Sequence, residues 1–217
     1  MKKIYFFLFL SCQTFITFSQ NVNIPDANFK AALVADASIN TNVDTEIQVS
    51  EAIAFGGIIS VSGLSIADLT GIEAFTNLGG LYCANNLLTT LNVTANTSVI
   101  SLICNNNQLS SLNLSSNTTL WWLNCSSNQL TNLNLSSNTA LTYLNCGNNG
   151  LLNLDPSPCG ALTTLDCNSN LLANLNVSSN TALTDLFCHY NQIGSLNLAT
   201  NTMLNSLCYA PITNWPI

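Results

Sequence analysis

Basic residues are almost missing from this chain of 217 residues, which carries three Lys+Arg against ten Asp+Glu and a single histidine. A nucleic-acid partner needs clustered cations along its phosphates, so that class is excluded. Charge of either sign is scarce, at 6% of residues. Asn, Ser and Thr must therefore keep the surface wet, and little field is left to steer a charged ligand. Outside the N-terminal segment no apolar run is long enough to cross a bilayer. The groupings that catalysis uses are also missing: no acid pair, nucleophile with a base, or phosphate loop has a spacing that would share a pocket. Asp166, Asp185 and His189 can approach one another on adjacent strands, yet on an open sheet they would stay solvated, so no enzyme activity is expected. Structural zinc wants close Cys-x-x-Cys pairs and histidine, and the chain offers only His189 beside widely spaced cysteines.

A period is what the chain does have. Cys83, Cys104, Cys125, Cys146, Cys167 and Cys188 recur every 21 residues inside the frame Leu-x-Cys-x-x-Asn. Leu81, Leu102, Leu123, Leu144, Leu165 and Leu186 stand two residues before them, and Asn86, Asn107, Asn128, Asn149, Asn170 and Asn191 three after. A fixed repeat of this length means one small unit stacked on copies of itself, each covering an apolar face it could not bury alone. The alternation Leu-x-Cys puts leucine and cysteine on one face, the period of a strand. An asparagine at a fixed turn slot can donate its amide to carbonyls that the bend leaves unpaired and accept from a backbone N–H. Asn-Thr at 96/97, 117/118, 138/139, 180/181 and 201/202 rounds the last corner of each unit.

The frame L-x-x-L-x-(L/C)-x-x-N-x-L, with cysteine in the third apolar slot, resembles the leucine-rich repeat. The likeness covers about residues 59 to 209. It points to the internalin-like, cysteine-ladder branch of bacterial surface proteins, and in particular to secreted leucine-rich-repeat proteins of the Bacteroidetes. The resemblance implies a curved solenoid with a parallel sheet on the concave side, short turns or 3-10 segments on the convex side, a small helical N-terminal cap, and a function in surface binding. Ile59 through Leu78 reads as a first coil without cysteine. Ladder cysteines would lie about 4.8 Å apart on parallel strands with their Cβ bonds pointing the same way, whereas a disulfide needs converging Cβ vectors. Buried free thiols are therefore expected. Cys159 replaces an Asn within Asp155-Pro-Ser-Pro-Cys-Gly and suggests a local distortion, and Cys208 stands one position out of register, with Tyr209 in the ladder slot.

The ends differ in texture. Residues 1–19, with Lys2 and Lys3 before the apolar run Ile4 to Leu10 and Thr17-x-Ser19 before Gln20, read as a secretory signal. The alternative is a lipoprotein box with lipid on Cys12. Secretion or display at the cell surface follows from either. Residues 20–56 read as the cap, with Asp26 starting a helix that buries Phe29 and Leu33. Asn40, Asn42, Asp44, Glu46 and Glu51 lie at the spacing of a calcium loop. Asn40 in place of aspartate and Thr45 in place of glycine make it resemble the degenerate calcium hand of internalin caps, so no cofactor is expected and calcium is the alternative. Residues 57–217 form the coils and an incomplete last turn. There Ile212 and Trp215 fold back over the edge, the edge pairs with a second chain, or the sequence is part of something longer.

Outward positions of the inner strands, one residue either side of each cysteine and three before it, hold Tyr82, Ile103, Trp122, Tyr143, Asp166, Asp185, Phe187 and His189. Exposed aromatics on a concave sheet are a binding patch that suits a protein segment or a glycan, and Trp121 can face either way. Two other readings stay open. The chain is a structural solenoid or remnant without a ligand, or the row Thr97, Thr118, Thr139, Thr181 and Thr202, interrupted at Gly160, orders ice-like water.

Overall fold

The alternation of leucine and cysteine becomes a ladder of very short strands. The computed structural model describes residues 20–209 and contains eight of them: β1 (Ile58–Ser60), β2 (Gly80–Tyr82), β3 (Ser101–Ile103), β4 (Trp122–Asn124), β5 (Tyr143–Asn145), β6 (Thr164–Asp166), β7 (Asp185–Phe187) and β8 (Ser206–Cys208). They pair in parallel, in chain order, as one sheet. Leucine faces leucine along the whole column, Leu81 to Leu102 to Leu123 to Leu144 to Leu165 to Leu186 to Leu207. A slip of one residue would turn every inward side chain outward, so the repeat fixes the register. β1 belongs to the coil without cysteine, and Val61 fills its ladder slot, buried among the others. The two ends that lie outside the described residues include Cys12, Ile212 and Trp215.

Two asparagine ladders run through the coils, and they work differently. Asn107 Nδ2 donates to the carbonyls of Cys83, Cys104 and Asn105, while its Oδ1 accepts from Leu88 N–H. The same pattern repeats at Asn128, Asn149 and Asn170. One amide thus closes its own bend and ties it to the preceding coil. The second ladder, Asn96, Asn117, Asn138, Asn180 and Asn201, is buried as well. Asn117 Nδ2 donates to the carbonyls of Val93 and Asn96 one coil back, but the Oδ1 atoms of all five are buried without a donor. These asparagines are interior staples, where the sequence suggested corner residues.

Cys159 occupies this second column without the distortion expected of it. Its N–H donates to Pro156 O and its carbonyl accepts from Leu162 N–H, the turn that Asn117 makes with Leu114 and Leu120. Its Sγ reaches Asn138 O at 3.4 Å, and its carbonyl accepts from Asn180. Pro156 and Pro158 sit at places where no donor is needed.

All described cysteines are free, and all but Cys208 are buried. Phe187 pairs with Cys208, so Cys208 points outward and Tyr209 takes the ladder slot, its hydroxyl donating to Ile193 O. The convex side after β2 is built of turns and bends; the 3-10 segment among the described residues is Ile72–Ala74, in the first coil.

Ahead of β1 lie helices α1 (Ala27–Ala35) and α2 (Val49–Ala54). Asp26 caps α1 through Oδ1, which accepts from Asn28 and Phe29 N–H. Its Oδ2 accepts from Ala67 and Asp68 N–H in the first coil, so one carboxylate both starts the helix and fastens it to the solenoid. Phe29 and Leu33 are buried, and Phe55 meets Phe75 edge-on at 6.3 Å. Apolar contact thereby covers the first coil, whose core would otherwise be open.

Candidate binding face

Three outward rows run across the sheet. One passes through Ile58, Gly80, Ser101, Trp122, Tyr143, Thr164 and Asp185, and the next through Tyr82, Ile103, Asn124, Asn145, Asp166 and Phe187. His189, just past β7, lies in the third. All eight residues marked in the sequence therefore share one wall, and each is half-buried. At about 4.8 Å per strand the wall is roughly 34 Å long.

Its N-terminal half is aromatic and hollow. Trp122 and Tyr143, neighbours across β4 and β5, stack with ring centres 3.8 Å apart and planes 4° apart. Trp121 meets Trp122 edge-on at 5.7 Å and remains 43% exposed, so it faces the same recess. That recess measures about 520 Å³. Gly56, Gly57 and Gly79 line part of it. A Cβ on Gly79 would come within 2.9 Å of Gly56 O, which makes glycine a packing requirement there. The walls are Ile58, Ile103, Trp121 and Trp122.

Toward β7 the wall becomes polar and acidic. Asp166 Oδ1 accepts from the N–H and Nδ2 of Asn168, and Asp185 Oδ2 accepts from the Thr184 hydroxyl at 2.7 Å. His189 stands edge-on to Tyr190 at 4.8 Å, and its Nδ1 is buried with no partner. No group of ligating residues that could hold a metal occurs among the described residues.

In the loop before α2, the side-chain oxygens suggested for calcium, on Asn40, Asn42, Asp44 and Glu51, accept from nitrogen donors. Glu51 Oε1 accepts from Thr41 and Asn42 N–H, and its Oε2 from Gln48 N–H. Burial pushes the Glu51 carboxyl up, but these donors together outweigh that and leave it below its ordinary value. Asn40 Nδ2 donates to the carbonyls of Val34 and Asp44, and Asp44 Oδ1 accepts from Glu46 N–H. Hydrogen bonds thus do the loop-closing that an ion does in a calcium hand.

The cysteine column decides the comparison with known proteins. The functional domain of InlJ from Listeria monocytogenes, described as including a cysteine ladder, matches with a TM-score of 0.71 and 35% identity over 88% of this chain and 47% of that one. The fold is an internalin-type leucine-rich-repeat solenoid. Internalin C2 of the same organism shares it at a TM-score of 0.62 and 23% identity, over 88% of this chain and 96% of that one. A leucine-rich-repeat protein of Leptospira interrogans does so at 0.61 and 23%, over 65% of this chain and 39% of that one. The chain spans about half the length of the InlJ domain. No protein-family model and no curated protein matches it. No helix among the described residues of this internalin-type solenoid is long and apolar enough to cross a membrane.

Sequence reasoning missed the recess, because part of its lining is glycine from the segments before β1 and β2 that only stacking brings together with Trp121. The signal was Gly57 and Gly79, which the register of β1 on β2 sets side by side in successive coils.

Proposed function

We propose that this chain is a non-catalytic binding or adhesion module, exported through its N-terminal segment, that engages a macromolecule outside the cell with the concave wall. The organisation would be signal (1–19), helical cap (20–56) and coils (57–217). The observation that carries the reading is the Trp122–Tyr143 stack beside an apolar recess of about 520 Å³. An apolar hollow of several hundred cubic ångströms edged by aromatics is the usual form of a binding site, and a solenoid that only filled space would gain nothing from keeping one open.

The test is capture on arrays of extracellular proteins and glycans by the full chain and by a Trp122→Ala/Tyr143→Ala variant. Capture should fall at least about tenfold, as for central aromatic anchors, while circular dichroism and melting point stay unchanged. Equal capture by both proteins would favour a scaffold without a ligand.

The exposed row Thr97, Thr118, Thr139, Thr181 and Thr202 keeps ice binding as a second reading. Absence of thermal hysteresis and of crystal shaping would remove it.

A further inference from the structure

The two halves of the concave wall differ in chemistry, and the difference specifies a partner. The recess is lined mostly by carbon, and the polar groups on its lining side chains are the Ser101 and Tyr82 hydroxyls and the indole N–H groups of Trp121 and Trp122. A sugar placed there would lose water from its hydroxyls and find few partners in exchange. An apolar side chain would lose nothing.

Beyond the aromatic stack the wall presents Asp166 and Asp185. The coils contain no Lys or Arg at all, and Lys30, the cation among the described residues, is held by Glu46 at 2.6 Å. Asn168 and Thr184 bond one oxygen of each carboxylate, and among the described residues no donor reaches Asp166 Oδ2 or Asp185 Oδ1. Between the two halves, Asn124 and Asn145 spend Oδ1 on their own turns, accepting from Ser126 and Gly147 N–H. Among the described residues neither Nδ2 group has an acceptor, so both can donate to a ligand on this face. Such amides suit a chain of carbonyls passing over the wall.

Resting on the concave-face reading above, we infer that the partner is an extended polypeptide segment that puts an apolar or aromatic side chain into the recess and a Lys or Arg against Asp166 and Asp185. Ile103 lies three strand spacings from Asp166, and Trp122 three from Asp185, or about 14 Å. An extended chain covers that in roughly four residues. A segment with both groups at that interval satisfies the whole wall, whereas an anionic glycan would be repelled by the two carboxylates, and a neutral one would offer them hydroxyls but no balancing charge.

Panning random linear peptides on the immobilised full chain tests this. Enriched sequences should pair an aromatic or branched aliphatic residue with Lys or Arg about three to five residues away and should avoid acids. For a synthetic peptide of the leading sequence, Trp122→Ala should weaken binding by roughly tenfold or more. Asp166→Asn/Asp185→Asn, nearly isosteric and able to keep the Asn168 and Thr184 contacts, should weaken it by roughly tenfold. Raising salt from about 0.05 to 0.5 M should weaken the native protein alone, since it screens only charged contacts. Melting curves confirm that the variants are folded. Apolar sequences without a base, or binding indifferent to the Asn variants, overturns the inference and leaves the concave-face reading standing. Binding indifferent to Trp122→Ala as well overturns both. Failure to enrich any peptide, with glycan-array capture that Trp122→Ala abolishes, overturns the polypeptide partner alone.

Discussion

Each residue of the Leu-x-Cys-x-x-Asn frame answers a separate physical demand, and the least visible demand falls between cysteine and asparagine. Asn85, Asn106, Ser127, Asn148, Ser169 and Tyr190 all have φ between 52° and 56°, the left-handed region. Asparagine tolerates it, but a bulky side chain is strained there by up to about 1–2 kcal/mol. Tyr190, 75% exposed, has little burial to offset that strain. Tyr190→Asn should therefore raise stability by about 0.5–1 kcal/mol, read as an upward shift in chemical-denaturation midpoint with unchanged slope. The thiols obey a different demand. Burial pushes Cys83 and Cys125 up to about 12 and holds Cys104, Cys146 and Cys167 well above their ordinary value, neighbouring cysteines adding to the effect. A neutral buried thiol is a poor nucleophile. Near pH 8 a thiol reagent should modify Cys208 quickly, and the buried seven only after unfolding. Because the folded values are raised, this stability is complete below the unfolded thiol value of about 8.5 and is lost as pH rises above it. Alkaline melting curves should show that decline.

Among the elements, the strands were legible and the helices nearly so. A period of two inside a period of 21 leaves no other way to bury Leu and Cys together, and Asp26 followed by an apolar face at helical spacing predicts α1. What pairing alone could not give was the second job of Asp26, since Ala67 and Asp68 are 41 and 42 residues away. Burial pushes the Asp26 carboxyl up, but the N–H groups of Phe29, Ala67, Asp68 and Asn28 together outweigh it, so it titrates below its ordinary value. A depressed folded value means stability that is present above the unfolded value of about 3.9 and is lost as pH falls through the folded one. Asp26→Ala should cost about 1 kcal/mol for the cap at neutral pH. The variant's melting temperature should also fall less steeply below about pH 4 than that of the native protein.

At the scale of the molecule, each strand pairs only with the strands before and after it, so stability is close to a sum of coils and their interfaces. Removing residues 147–167, one period, rejoins Cys146 to Asn168 and preserves the Leu-x-Cys-x-x-Asn frame. The shortened chain should fold, with circular dichroism of the same shape. The cut removes Cys159 and should bring Asn180 over Leu135 and Asn138, making the buried amide column continuous. It also removes Asp166. Loss of cooperative melting in this variant would show that the coils are not interchangeable. The repeat also set the concave wall: with a period of 21 and two-residue alternation, Trp122, Tyr143, Asp166 and Asp185 had to share a face, as they do. Identity and register of the inner face were thus properties of the sequence, because burial of a periodic apolar pattern admits a single stacking. The recess beside Gly56, Gly57 and Gly79, the parallel approach of Trp122 to Tyr143, and the orphaned Oδ1 atoms of the second ladder were decided only by the tertiary structure, because each depends on which side chain of a neighbouring coil lands beside a gap, and no spacing along one chain encodes that distance.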